Sequence, residues 1–112
     1  MKILHILLAE AKGGLELYAS NLMLQQQIAG YEVFAYVLEG SEVDKMLAQN
    51  PAITRLYGAK PKRFSLTNIW RVRKILKQNK ISLLHSHNRL DIWTASMANF
   101  DRFVKHIHSI YM

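Results

Sequence analysis

Strand-length apolar runs alternate with segments of helical period along the whole chain, and this alternation narrows the fold more than any other feature. Lys2 to Leu8, KILHILL, is a nearly continuous apolar run, as expected of a strand covered by helices on both faces. The period then changes. Leu15, Tyr18, Ala19, Leu22 and Ala29 recur at helical spacing, with Glu16 in the first turn, and Gly30 ends the helix because glycine adopts positive φ without a Cβ clash. Tyr31 to Leu38, YEVFAYVL, reads as a second strand. Ser41 with Asp44 forms a capping box for a short helix, which ends at Asn50-Pro51 because a residue before proline is pushed out of the α region.

The same alternation continues to the end. Ile53 to Tyr57 is a short third strand, and Lys60 to Ser65 is a basic connector. Thr67 or Asn68 then caps a helix whose buried stripe is Ile69, Val72, Ile75 and Leu76. Ile81 to His85 is the fourth strand, Ser86 to Arg89 its following loop, Asp91 to Phe100 another helix, and Val104 to Ser109 the fifth strand. Alternating strands and helices predict βαβ units and a parallel sheet. Right-handed crossovers then give an α/β, Rossmann-like three-layer sandwich, with an expected strand order of 3-2-1-4-5. At 112 residues the chain has the size of one domain.

Composition excludes several classes. An apolar share of 50% with two prolines argues against disorder. No apolar run reaches the roughly 18 residues that crossing a bilayer requires. The opening segment lacks a secretory pattern, so a cytoplasmic location is expected. Cysteine is absent, which excludes disulfides and thiolate metal sites. The net charge is +7, and its distribution is uneven. Between Lys45 and Leu90 no acidic residue occurs, whereas eleven basic ones do; Arg71, Arg73, Lys74 and Lys77 among them share one helix face opposite its apolar stripe. A field of one sign attracts polyanions or an anionic membrane face. Nucleic acid is not the expected partner, because no recognition module or aromatic platform accompanies the charge.

In a parallel sheet ligands sit beyond the C-terminal strand ends, where the strand order reverses. The polar loops there are Ala9 to Glu16 and Ser86 to Asp91, which follow the first and fourth strands. Gly13 and Gly14 precede a helix start whose N–H groups suit an anion, although a plain structural turn has the same spacing. Glu16 either interacts with the helix dipole or presents a carboxylate to a sugar hydroxyl. His85 and His87 share one face of an extended segment, as do His106 and His108. No third ligand at zinc-like spacing accompanies them, so no metal is expected. His85 fits a core histidine, and His87, at the strand mouth, fits a group that orients a hydroxyl or acts as a base. Asp91 caps its helix or lines the cleft, and Arg89 faces solvent or grips a phosphate.

KILHILL, AKGGLELYASNL, IAGYEV and ISLLHSHNRLDIWTASMA together make the chain resemble the N-terminal domain of retaining GT-B glycosyltransferases, closest to family 4. That group includes lipopolysaccharide-core and other glycan-assembling enzymes. The resemblance runs from Lys2 to Ser109 and rests on GG-x-E in the first turn with H-x-H-N after the fourth strand. It implies half of a GT-B fold, in which this domain holds the acceptor and a C-terminal domain binds the nucleotide-sugar donor. By matching motif, His87 would contact the acceptor or the transferring sugar. Gly13 and Gly14 would line the diphosphate and acceptor region with backbone amides, and Glu16 would lie beside them. Asn88, Arg89 and Asp91 would shape the acceptor pocket. A glycan or lipid-linked acceptor is implied, no cofactor is, and the basic stretch suits peripheral docking at the inner face of the cell membrane.

Two departures stand out. Gly30-Tyr31-Glu32-Val33 replaces the Gly-His-Glu-Val of many relatives, and the sequence ends at Met112 without the E-x7-E motif of the second domain. Residues 1–112 are therefore expected to be an incomplete acceptor-side domain, inactive alone. The alternative reading is a non-catalytic nucleotide-binding or regulatory α/β domain. A nicotinamide-dependent oxidoreductase fits less well, because the third glycine of the dinucleotide fingerprint is missing and Glu39 has no loop motif to support it.

Overall fold

The computed structural model of the protein describes residues 1–8, 14–59, 66–87, 89–101 and 104–108. Its elements run β1 (Lys2–Leu7), α1 (Gly14–Ile28), β2 (Glu32–Val37), α2 (Glu42–Leu47), β3 (Thr54–Tyr57), α3 (Leu66–Gln78), β4 (Leu83–Ser86), α4 (Arg89–Ala98) and β5 (Lys105–His108). The five strands form one sheet in the order β3-β2-β1-β4-β5, and every pairing is parallel. This is the α/β sandwich and the strand order expected from the alternation.

Strand parity divides the core into two layers. Leu7 of β1 packs with Val33, Ala35 and Val37 of β2 against Ala19 and Met23 of α1 and Val43 and Leu47 of α2. Leu4 and Ile6 face the other way, with Phe34, Tyr36 and Leu84, against Val72 and Leu76 of α3 and Ala95 and Ala98 of α4. Right-handed crossovers account for this, since the chain moves outward from β1 to β3, crosses back to β4, and so lays later helices on the opposite face. β1 and β2 read as unbroken apolar runs because both of their faces are covered.

Three local expectations change. The inward stripe of α1 is Glu16, Ala19, Ser20 and Met23, while Tyr18 and Ala29, expected inside, face outward. Three of the four chemically plausible inward positions are thus not the large apolar ones, and the periodicity of leucine and tyrosine misplaced the face by about one residue. Neither Thr67 nor Asn68 caps α3, which already begins at Leu66. Asn68 is instead fully buried: it accepts from the Tyr36 hydroxyl at 2.7 Å and from the Ala59 N–H at 2.8 Å, and its amide donates to the Ala59 carbonyl at 2.9 Å. It fastens α3 to β2 and to the stretch after β3. Ser86 closes β4 and does not open the loop.

The Ser41 cap forms as expected, its hydroxyl accepting from the Asp44 N–H at 3.3 Å. Asp44 reaches back to the Gly40 N–H at 2.9 Å, one residue before the cap, and also takes Arg55 at 2.9 Å and the Tyr57 hydroxyl at 3.1 Å. Burial alone would raise this carboxyl, but those donors hold it below its ordinary range. Two neighbouring strand residues are thereby tied to the short α2.

Candidate functional site

The site is built where β1 and β4 end side by side. His5 pairs with His85 and Ile6 with Ser86 across these strands. Both chains therefore leave the sheet at the same edge, one toward α1 and the other toward α4. Asp91, fully buried in the first turn of α4, accepts the Leu8 N–H just past β1 at 3.3 Å. Asp91 is thus not the N-cap of a helix that starts at Arg89; it joins the start of α4 to the end of β1. The N-terminal ends of α1 and α4 open on this same edge, where their dipoles favour negative charge.

Gly14 is the first residue of α1, and Glu16, in its first turn, is buried. His87 follows β4 directly and is 1% exposed. Gly13 and Asn88 lie outside the described residues, and so does the side chain of Arg89. Of the residues expected from sequence, the structure therefore brings Gly14, Glu16, His87 and Asp91 to one sheet edge.

His87 belongs to a group in which sequence reasoning gave His5 and Gln26 no part. Alternation puts His5, His85 and His87 on the α1 and α2 face of the sheet. His5 Nδ1 lies 2.8 Å from His87 Nε2, and His5 Nε2–H donates to Gln26 Oε1 of α1 at 2.6 Å. The His85 and His87 rings stack with centroids 4.1 Å apart and planes 15° from parallel, and His5 stacks at 5.0 Å from His85 and 5.1 Å from His87. Burial disfavours the charged rings. It drives the imidazole of His5 down to about 3 and that of His87 to about 2, the latter with added repulsion from His5 and His85, and it lowers His85 as well. All three rings are neutral near pH 7.

The third imidazole that the sequence spacing lacked is His5. One nitrogen from each ring falls within 4.8 Å of the others, the composition of a three-histidine metal site. A tetrahedral zinc site needs lone pairs converging on one point at about 2.0–2.1 Å. Here two of the rings are stacked face to face and two ring nitrogens are within hydrogen-bond distance, which is the arrangement of a hydrogen-bonded stack.

His106 and His108 do not join this group. Both contact the buried Ser86 hydroxyl, at 2.8 Å from His106 Nε2 and 2.7 Å from His108 Nδ1, on the opposite face of the sheet. A concavity lined by Ser96, Asn99, Phe100 and His106 lies at the other sheet edge, beside the end of α4 and the start of β5. The basic face of α3 is also altered. Arg73 turns from solvent to pair with Asp101 at 2.9 Å, donates to the Ala98 carbonyl, and lies 4.4 Å over the Phe100 ring. Arg71, Lys74 and Lys77 stay exposed, beside a Trp70 that is 70% exposed. Among the described residues no helix is long and apolar enough to cross a membrane.

A glycosyltransferase from Rickettsia africae ESF-5 has a similar structure, with a TM-score of 0.82 at 19% identity. The match covers 97% of this chain and 29% of that one, so the chain spans under a third of its structural relative. At this identity the likeness concerns the fold. No curated protein gives a significant sequence match. The model of the family described as Glycosyltransferase Family 4 matches residues 12–111, nearly the whole chain, with the Ser86 to Asp91 loop and the part of the first loop from Lys12 to Glu16. The chain belongs to glycosyltransferase family 4.

Proposed function

We propose that this chain is the acceptor-side, N-terminal half of a retaining GT-B glycosyltransferase that moves a sugar from a nucleotide-sugar to a glycan or lipid-linked acceptor, as in lipopolysaccharide assembly. The observation that carries the reading is the junction of β1 and β4, where the Asp91–Leu8 bond ties the start of α4 to the end of β1 beside His87, in a sheet of this family. In this reading a C-terminal domain closes over that edge and supplies the donor site.

The chemistry follows from the edge. As the glycosidic bond to the donor breaks, negative charge grows on the leaving diphosphate. Amides at the start of α1, around Gly13 and Gly14, oppose that charge, most effectively where water is excluded. His87, neutral and held by its neighbours, orients the acceptor hydroxyl or the transferring sugar. Asn88, Arg89 and Asp91 bound the acceptor pocket, Glu16 stands beside it, and Asp91 does so while also holding the α4 start in place. No metal or other cofactor enters this scheme.

The α3 face suits peripheral docking at the inner surface of the cell membrane. Arg71, Lys74 and Lys77 supply charge, and Trp70 supplies an amphipathic ring of the kind found at the headgroup level.

The direct experiment measures release of nucleoside diphosphate in the presence of acceptor. Residues 1–112 alone are expected to give no transfer, and the chain joined to a family donor-binding domain is expected to give turnover. Robust transfer by residues 1–112 would overturn the assignment of this chain as a half-site.

A further inference from the structure

α1 meets the rest of the domain through Glu16, Ala19, Met23 and Gln26, and its one charged residue, Glu16, is buried. The opposite face turns outward without a charge. Leu17, Asn21, Leu24 and Ile28 are all exposed and follow one another at spacings of four, three and four residues. That is the seam of a two-stranded coiled coil, with leucine at both d positions and asparagine and isoleucine at the two a positions. Tyr18 and Gln25 flank the seam on one side, Ser20 and Gln27 on the other, so nothing beside it repels a like surface.

We propose that this seam is a homodimer interface, in which α1 of a second copy packs parallel to α1 across a two-fold axis and each Asn21 faces its own counterpart. The proposal concerns a surface away from the histidines and does not rest on sugar transfer.

Charge selects a second copy as the occupant. Each chain carries a net charge of +7, so two copies repel one another except through a neutral surface. The exposed cations Arg71, Lys74 and Lys77 belong to α3, which packs on the other face of the sheet from α1. A helix with apolar side chains on both faces is ordinarily covered on both. Here Leu17 is 53% exposed and Ile28 68%.

Asn21 sets the direction of the pair. In a parallel arrangement identical seam positions meet, and two asparagine amides satisfy each other. In an antiparallel arrangement centred on the same seam, Asn21 would meet Leu24 and lose its bonds to water without replacement, a cost that falls twice in a symmetric pair. Because α1 starts at the edge where β1 and β4 end, a parallel pair also opens both candidate edges to the same side.

The seam is short, and the surface beside it completes the contact. Leu17, Asn21 and Leu24 form one wall of a groove of about 470 Å³ whose other wall is Met46, Leu47 and Ile53. Specific interfaces bury about 1,200 Å² or more. Two heptads reach that size only with the groove wall included, which makes the dimer a weak one, sensitive to single seam substitutions.

The experiment is sedimentation velocity on residues 1–112 at rising concentration, with folding of every variant checked by circular dichroism. The parent should pass from monomer to dimer below about 1 mM, the weak end of specific association. Leu24→Glu should weaken the dimer by about 100-fold or more, because the pair loses a buried leucine twice and gains two facing carboxylates. Gln78→Glu, on the exposed end of α3, should leave it unchanged. The chain contains no cysteine, so single cysteines report proximity cleanly. Under mild oxidation Asn21→Cys should form a disulfide-linked dimer, and Gln78→Cys should not. A chain that stays monomeric at about 1 mM would overturn the proposal and leave the seam to another occupant. A dimer that survives Leu24→Glu would overturn it as well. So would a mixture in which Asn21→Cys links to Leu24→Cys more readily than to itself, since that pair runs antiparallel.

Discussion

His5 and His87 lie 82 residues apart in sequence and meet through ring nitrogens 2.8 Å apart, at the point where β1 and β4 run side by side. Their contact links the interior of the sheet to the edge that carries the candidate site. Because both rings are neutral and buried, they also make the fold sensitive to acid.

The pH dependence has a definite sign. Both histidines have folded-state values depressed below the ordinary 6.5, to about 3 and about 2. The unfolded chain therefore binds more protons, and stability is fully present above the ordinary value and declines as pH falls below it. Each ring contributes a slope of up to about 1.4 kcal/mol per pH unit in that window. Denaturant unfolding of residues 1–112 between pH 7 and 5 should show this decline, and His5→Leu should reduce the slope. Stability that is flat over the window would contradict the buried, neutral rings.

Gly58 follows β3 and lies against the ring of Tyr36. A Cβ at this position would come within 2.6 Å of the ring carbons and 2.8 Å of the hydroxyl, and that hydroxyl is held in place by its bond to Asn68. Gly58→Ala should therefore cost about 1–3 kcal/mol, the range for an overpacked core. Tyr36→Phe in the same background should not relieve the clash, because the ring carbons remain. Thermal melts of the parent and the two variants provide the check, and a Gly58→Ala protein as stable as the parent would show that the contact is not tight.

Much of this architecture was legible in the sequence, for physical reasons that can be traced. A strand buried on both faces reads as an apolar run, so β1 and β2 were visible, and right-handed crossovers supplied the strand order. The site was partly legible because polar loops after the first and fourth strands fall together in that order. The inward face of α1 was not. Glu16 and Ser20 are buried, Ser20 against Met46 of α2, and Gln26 reaches His5, so periodicity of apolar residues pointed at Tyr18 instead. His5 was hidden for a related reason: it sits inside an apolar run, and its partner His87 depends on a β1–β4 register that no local spacing fixes. Asn68 has the residue type of a helix cap, and only tertiary contacts to Tyr36 and Ala59 reveal another use.

The exposed α3 face yields a binding prediction. Each basic side chain near an anionic leaflet contributes roughly 1 kcal/mol, decaying within about a Debye length. Co-sedimentation with vesicles containing phosphatidylserine should show binding that neutral vesicles lack and that salt abolishes. Neutralising Arg71, Lys74 and Lys77 together should weaken it by roughly 100-fold, the sum of three such contributions. Arg73→Ala should have a smaller effect on binding, because this guanidinium is already paired with Asp101. Equal binding to both vesicle types would contradict electrostatic docking.

The role of His87 is the centre of the account, and steady-state transfer kinetics test it most directly. In the chain joined to a family donor-binding domain, His87→Ala should lower kcat/KM by about 100-fold or more, the scale expected when a reacting hydroxyl loses its orienting or proton-accepting partner. Lys45→Ala, a substitution at an exposed position of α2, should leave it unchanged. Both proteins must first be shown to be folded by circular dichroism. A folded His87→Ala enzyme that retains kcat/KM within about twofold of the parent would contradict the assignment of this edge as the site of sugar transfer.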